Sequence, residues 1–446
     1  MEYFVERKEE MSEVEINRLI LIGNGFDLAH GLETSFNNFI NYCAFEMLNV
    51  ISEKYKKRNI DNHFLVSNDI VDINAINENA ENLKTILDYV RKSILFNDLE
   101  KGEESFIAKL EERFSYFNLD EKYAKYFTDR NYSKQFNQIY SDENFHEQFK
   151  SFYGRYGQTL NYLNCEIIKN KLFKFIFYNC KVDKNWGGIE HDFYQTLLNV
   201  ERFYKEENTQ SKKIDKLNKE FENIINCFID YMKTVVSKQK TEILSKIAKH
   251  LMQPVNDDEI STQLRDPTDQ RPIVIRRHMF LNFNYTNTVE KYITKSPVNI
   301  EEKHDPTHVQ IHGRLEDSAS GIIFGYGDEL DSSYKELEDK NDNRYLKYSK
   351  SLRYLYKNNY QKLLDFLEQN KYQVYIWGHS CATSDRVLLQ TIFEHENCVS
   401  IKPFYYQDEK GNDNFADLCA NISRSFTDKK KFRDLVVNKE YCEPLT

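Results

Sequence analysis

Apolar positions along the chain fall into two clusters of short unbroken runs, separated by a long stretch with helical periodicity. Residues 18–22, Arg18-Leu19-Ile20-Leu21-Ile22, are apolar and branched without alternation after the arginine, the pattern of a strand covered on both faces. They run directly into a glycine-bracketed turn, Gly23-Asn24-Gly25-Phe26-Asp27, after which Thr34 and Ser35 offer caps for an apolar helix from about Phe36 to Leu48. The second cluster occupies about residues 272 to 405. It predicts strands at Met279–Asn284, Val309–His312, Ile322–Gly325, Gln373–Gly378 and Val399–Pro403, and helices near Thr286–Thr294, Ser351–Gln369 and Ser384–Glu394. Strands that alternate with helices predict an α/β fold with a doubly wound, mostly parallel sheet.

Between the clusters, residues 80–166 and 190–252 hold amphipathic runs such as Phe145–Tyr153, with one short strand candidate at Leu172–Tyr178. This stretch reads as a large helical insertion. The N-terminal strand then pairs with strands more than 200 residues later in sequence. Loop-closure entropy grows only logarithmically with length, so an insertion that folds on its own makes such pairing cheap. The expected organisation is a discontinuous core of residues 15–52 plus 272–426, a mainly helical insertion over 53–271 and a C-terminal tail over 427–446. The polar segments 53–70 and 254–272 serve as candidate linkers.

Composition narrows the function classes. Seven prolines and 14 glycines in 446 residues leave little punctuation, so long helices should dominate. The net charge of −10 provides no general attraction to nucleic acid or anionic membrane. Lysines 233, 238, 240, 246 and 249 lack the aromatic interleaving of a nucleic-acid groove and read as a solvated helix face. Mean hydropathy is −0.70, no apolar run approaches the length of a bilayer span, and Met1–Glu10 is acidic without a signal core. A cytoplasmic protein is expected. Its eight cysteines, with no C-x-x-C pair, read as reduced thiols.

The candidate chemistry gathers where strands are predicted to end. Gly23 and Gly25 remove side chains where a backbone turns tightly and approaches a phosphate. Leu28 nevertheless occupies the place of a dehydrogenase fingerprint's third glycine, and no Gly-Lys-Ser/Thr follows, so neither hydride-transfer nor Walker chemistry is indicated. Asn284, in Asn284-Tyr285-Thr286, carries an amide that suits ribose hydroxyls or a positioned water, and suits a helix cap equally well. His312, before Gly313, stands where a general base would, or where a backbone carbonyl would satisfy it. His304, His308 and His312 recur every four residues, but Pro306 argues against a helix there and no metal site is expected. Gly378-His379-Ser380 with Asp385 lacks the G-x-S-x-G elbow of a hydrolase and reads as a nucleotide-holding turn, with Asp385 also a natural helix cap. Glu190, after Trp186-Gly187-Gly188-Ile189, is a further candidate and equally a first-turn acid favoured by the helix dipole. Gly321–Glu329 reads as a pocket wall.

In order, the segments Leu21–Leu32, Trp186 with Glu190, Asn282–Thr286, Ile311–Gly313, Phe324-Gly325 and Gly378–Ser380 with Asp385 resemble the AbiH family of bacterial abortive-infection proteins. That resemblance implies a cytoplasmic phage-defence protein that arrests or kills the infected cell. More distantly, the series is similar to a sirtuin-type Rossmann core. The likeness implies that Gly23, Asn24 and Gly25 cradle a pyrophosphate, Asn284 holds the ribose and attacking water, His312 acts as base, and Gly378 and Ser380 line the nucleotide pocket. It places Phe26, Asp27, His379 and Asp385 in the same binding set, with Tyr285 and Glu190 as additional positions. Asn24 replaces a small residue of that pattern, and Thr286 stands where an aspartate often follows the asparagine. The four-cysteine zinc module is absent, which speaks against a protein deacylase and is compatible with the sirtuin-like NAD hydrolases of other defence systems. The expected activity is cleavage of the nicotinamide–ribose bond, with NAD as substrate and no other cofactor. A nucleotide-binding sensor or scaffold without catalysis is one alternative; a nuclease-type toxin, drawing on the lysine-rich helix with Asp27, Glu190 and Asp328, is the other. Expected partners are NAD or a related nucleotide, a phage-derived trigger or second defence component, and further copies of the chain, with no membrane and no nucleic acid.

Overall fold

The structure is a computed structural model, described over residues 13–55, 59–75, 168–178, 186–203, 206–262, 264, 271–294, 306–317, 321–327, 329 and 331–446. It comprises two compact units, one of Met1–Leu32, Ser237–Lys335 and Tyr348–Thr446, the other of Glu33–Val236 and Glu336–Lys347. The run Phe145–Tyr153, His304 and Asp328 lie outside the described residues.

The first unit is built on five parallel strands: β1 (Val14–Ile22), β2 (Ile273–Asn282), β3 (Thr307–Gln310), β4 (Tyr372–Trp377) and β5 (Cys398–Phe404), in the order β3-β2-β1-β4-β5. β1 is central, with Leu19 level with Met279 on one side and Val374 on the other. Unbroken apolar runs are the sign of a sheet buried on both faces, and residues 16–22 and all of β4 are buried. On one face Leu19, Leu21, Leu281, Val374 and Ile376 pack with the helices Asn359–Gln369, Arg386–Phe393 and Phe415–Arg424. On the other, Ile20, Ile22, Phe280, Tyr375 and Trp377 pack with the helix Ser245–Leu251 and with Tyr292 of the helix Glu290–Thr294. Residues beyond 427 run along β5, where the Val437 and Leu445 amides donate to the Ile401 and Tyr405 carbonyls at 2.9 Å each.

From β1 the chain moves outward through β2 to β3, then returns to the opposite side of β1 with β4. The direction of winding therefore reverses between the carboxyl ends of β1 and β4, the place where open parallel sheets take ligands. Both strands end there in glycine turns that touch. The Gly23 amide donates to the Trp377 carbonyl at 3.0 Å and the Gly25 amide to the Gly378 carbonyl at 2.8 Å. A Cβ on Gly23 would lie 2.3 Å from the His379 Cα, and one on Gly378, whose φ is +67°, would lie 2.1 Å from the Phe26 nitrogen.

Several elements differ from the sequence expectation: the Gly23–Asp27 turn passes at once into the helix Asn24–Ala29, and the helix expected over Ser351–Gln369 is broken into the helix Lys350–Arg353, the 3-10 turn Tyr354–Tyr356 and the helix Asn359–Gln369. Leu172–Tyr178 is not a strand but part of the helix Lys171–Tyr178 in the second unit. The Asn170 carboxamide oxygen accepts from the Phe173 amide and the Glu220 carboxylate from the Leu172 amide, so a helix start and a tertiary partner override the strand propensity of an aromatic run. Ile322–Gly325 is irregular, because Gly325 is pressed against the Tyr348 carbonyl, 2.0 Å from where its Cβ would be, and the Ile323 amide turns toward the His312 carbonyl. The helix expected from Thr286 begins at Glu290, since Asn282 and Gln310 side-chain amides donate to the Thr286 carbonyl and hold that segment open. In the second unit, the helices Phe36–Tyr55, Trp186–Phe203 and Glu207–Thr234 pack around Trp186, whose ring meets Phe36, Phe39 and Phe228 and whose Nε1 donates to the Thr34 carbonyl. Among the described residues no helix is long and apolar enough to cross a membrane.

The contact between the turns gives a direct stability test. Gly378→Ala adds a clash with backbone to a left-handed φ and should cost about 3 kcal/mol or more in chemical denaturation of the full chain. Gly31→Ala also meets a positive φ, +74°, but no heavy atom within 4 Å. It should cost only about 1 kcal/mol. Equal losses at the two positions would mean that the turns do not meet as described.

Candidate active site

The carboxyl ends of β1, β2, β3 and β4 bring most of the sequence candidates onto one edge of the first unit. Asn284 follows β2 and is buried. Its Nδ2 donates to the Gly23 carbonyl at 2.9 Å, while its backbone is fixed by the Asn282 Oδ1, which accepts from the Asn284 amide at 2.9 Å. One amide hydrogen bond thus ties the β2 exit to the β1 turn. Phe26, within the helix Asn24–Ala29, stacks on Trp377 with ring centroids 6.0 Å apart and is part of the core. Asn24 is half-buried and Ser380 is exposed, its carbonyl accepting from Asn421 Nδ2.

Asp27, one turn beyond the glycines, is only 1% exposed. Its Oδ2 accepts from the Thr286 hydroxyl at 2.6 Å, and its Oδ1 is buried with no hydrogen-bond partner among the described residues. Burial raises its pKa from 3.8 to about 6, against the opposing pull of Thr286, Thr288 and Asn284.

A second acid, Asp385, ends the short turn Thr383–Asp385 and behaves oppositely. Lys350 Nζ donates to its Oδ1 at 2.9 Å, His312 Nε2 lies 3.3 Å from the same oxygen, and His379 Nε2 lies 3.7 Å from Oδ2. Burial pushes the Asp385 pKa up, but the Lys350 ammonium and the two histidines outweigh it and hold the carboxyl well below the usual carboxylate range. His379 Nδ1 accepts from the Cys381 amide at 3.1 Å, which directs its Nε2–H toward Asp385. Cys381 itself takes φ +52°, a left-handed conformation that bends this turn back over the strand end.

His312, two residues beyond β3, is buried. Its Nε2 faces Asp385 and lies 3.3 Å from the Tyr354 hydroxyl, and its ring packs edge-on against Phe283 at 5.2 Å. Ionised Asp385 only accepts, so in the neutral ring the proton sits on Nε2 and the lone pair on Nδ1. Nδ1 has no hydrogen-bond partner among the described residues. Tyr285 flanks the same loop, donating from its hydroxyl to the Ile323 carbonyl at 2.9 Å. A cavity of about 170 Å³ is lined by Asp385, Lys350, Tyr354, Tyr360, Ser384 and Val387 among others. It has room for a ring-sized group; pockets for whole drug-sized ligands run from about 300 Å³ upward.

The structure therefore unites His312, His379 and Asp385 in one polar cluster, and Gly23, Gly25, Gly378 and Asn284 in one interlocked turn pair. Glu190 belongs to the second unit, buried within the helix Trp186–Phe203. Lys350, Tyr354 and Thr288 were not among the sequence candidates. No local pattern distinguishes Lys350 from its neighbour Lys347; only the seating of its backbone, whose amide donates to the Tyr326 carbonyl at 2.7 Å, carries it inward. Among the described residues no cluster of three or more side chains is arranged to hold a metal ion.

The two acids make a testable contrast. A carboxyl whose folded pKa lies at about 6 and whose unfolded value is 3.8 burdens the folded state above pH 6, by about 3 kcal/mol, and the burden disappears as pH falls to 3.8. Asp27→Asn removes it, while the new amide nitrogen without an acceptor returns about 1 kcal/mol of cost. Urea denaturation should show the variant about 2 kcal/mol more stable than wild type at pH 7.5, with the gain fading between pH 6 and 4. A variant less stable at pH 7.5 would show that the Asp27 carboxylate is satisfied.

Comparison with known proteins finds one family: the model of "Bacteriophage abortive infection AbiH" matches residues 145–407, more than half of the chain. The matched stretch includes Asn284, His312, Lys350, His379 and Asp385 and begins after the Gly23–Asp27 turn. No curated protein and no solved structure matches the chain.

Proposed function

The chain belongs to the AbiH family of bacteriophage abortive-infection proteins, and from that premise we propose that this defence protein acts by hydrolysing the nicotinamide–ribose bond of NAD on a sirtuin-like, Rossmann-like core. The observation that carries the reading is the His312–Asp385 pair, with no partner on Nδ1 among the described residues, at the carboxyl edge of a parallel sheet whose winding reverses between β1 and β4.

In this reading the dinucleotide lies over the paired turns, against Asn24, Gly25, Gly378 and Ser380. The glycines already touch one another, so the phosphates meet the outer side of the turn pair. Asn284 Nδ2 is engaged by Gly23, which leaves Oδ1 to accept from a ribose hydroxyl or a water. Water attacks C1′ of the nicotinamide ribose as the C1′–N bond breaks, and the bonding pair neutralises the pyridinium nitrogen. A proton of the attacking water passes to His312 Nδ1. The imidazolium that results faces ionised Asp385, so its charge is matched where it forms. Nicotinamide and ADP-ribose leave, and the proton is lost to solvent.

One observation favours a second reading, a nucleotide sensor without turnover: the turns and Asn284 already satisfy one another. Nicotinamide release from NAD, followed by chromatography on the full chain, separates the two. The hydrolase reading expects release by wild type and a fall of about 10²-fold or more in kcat for His312→Ala, with Asn284→Ala and Asp385→Asn also impaired. NAD binding with no release overturns hydrolysis and leaves the sensor; undiminished release by His312→Ala overturns the proposed base.

A further inference from the structure

Lys350 lies outside every motif of the sequence, yet its side chain is 2% exposed and its Nζ is 2.9 Å from Asp385 Oδ1. His312 Nε2 approaches that same oxygen at 3.3 Å. One carboxylate oxygen therefore meets an ammonium and an imidazole together. The seat of Lys350 is built for this: its amide donates to the Tyr326 carbonyl, and Gly327 passes so closely that a Cβ there would lie 2.8 Å from the Ser384 carbonyl and 3.2 Å from the Lys350 Cβ.

A buried carboxylate facing only histidines draws a proton onto the nearest ring, and a doubly protonated imidazole has no lone pair to act as base. With Lys350 beside it the carboxylate already faces a cation, so His312 gains an acceptor for Nε2–H without being driven to the imidazolium. Among the described residues, the groups that the structure sets against Asp385 and His312 besides Lys350 do not supply that charge. His379 uses Nδ1 as an acceptor, the Cys381 thiol is buried and its pKa is raised, chiefly by burial, Tyr354 offers a neutral hydroxyl, and Glu329 on the cavity wall is an acid.

We infer that Lys350 is a positioning residue, which by neutralising Asp385 keeps His312 a neutral base with its proton on Nε2 and its lone pair on Nδ1. The inference rests on the reading of His312 as the base, but its test does not require NAD turnover.

Histidine ¹⁵N resonances of the full chain, with His312 identified by loss of its signals in His312→Gln, report the protonation of each ring nitrogen directly. At pH 7.5 wild type and Lys350→Arg should show one protonated and one bare nitrogen on His312, and Lys350→Met should show both protonated. A wild-type pattern in Lys350→Met overturns the inference. Removing one partner of a buried pair strains folding, so Lys350→Met is also made in the Asp385→Asn background, where no buried carboxylate is left unpaired. There the His312 signature should be the same with Lys350 or Met at this position; a difference overturns the claim that Lys350 acts through Asp385. Should NAD be hydrolysed, kcat is expected to fall at least about 10-fold in Lys350→Met with KM little changed and to recover in Lys350→Arg. An absence of hydrolysis in wild type removes the NAD reading and leaves the spectroscopic result standing.

Discussion

The constraint on which this edge of the fold depends is the backbone-to-backbone contact between the turns that end β1 and β4. Two amides of the first turn donate into carbonyls of the second, at 3.0 and 2.8 Å, and no side chain fits between them. Because β1 is the central strand, fixing its exit to that of β4 also fixes the residues just beyond both turns: Phe26 on Trp377, Asp27 beneath Thr286, His379 and Asp385 beyond Gly378. Asn284 extends the same tie to β2 through the Gly23 carbonyl. Three strand ends are thereby held in one arrangement by hydrogen bonds that pair backbone groups which would otherwise end a buried sheet unsatisfied.

The two buried acids show how far surroundings alone separate like groups. Asp27 meets only neutral donors among the described residues, Thr286 foremost, and its pKa rises to about 6. Asp385, equally enclosed, has an ammonium and two imidazoles and stays ionised far below neutrality. The difference lies in the neighbours: burial raises both pKa values, and only beside Asp385 do an ammonium and two imidazoles outweigh it. The buried Arg18 in β1 follows the opposite strategy from Asp27: its guanidinium is met by the Gln373 carboxamide and the Leu251 and Gln253 carbonyls and lies over the Tyr375 ring.

Legibility in the sequence depends on the length and directness of each signal. The runs at 18–22 and 373–377 admit only a strand buried on both faces, and both are. Because ligand-bearing residues of a parallel sheet belong at strand ends, locating the strands also located His312, His379, Asp385 and Asn284. Leu172–Tyr178 misleads because its aromatic and branched residues favour a strand locally, whereas Asn170 and Glu220, the latter distant in sequence, supply the caps of a helix. Lys350 leaves no trace in the chain at all. Burying a lysine depends on a carboxylate 35 residues away and on a glycine that lets the backbones close, and neither relation has a period or a spacing to be read.

The Gly23-Asn24-Gly25 turn carries the sharpest lesson about inference from such motifs. A backbone that must approach a phosphate and one that must approach another backbone make the same demand, the loss of Cβ, so glycines alone cannot distinguish the two. In this fold the second demand is already met by Gly378, which explains both glycines of the turn without a ligand. Any nucleotide must therefore be recognised by the groups that the closed turn pair leaves available, the half-buried Asn24 and the exposed Ser380, together with the polar groups beyond β2 and β3. The weight of the proposed function moves accordingly from the glycines to His312, whose ring is held at Nε2 and whose Nδ1 has no partner among the described residues.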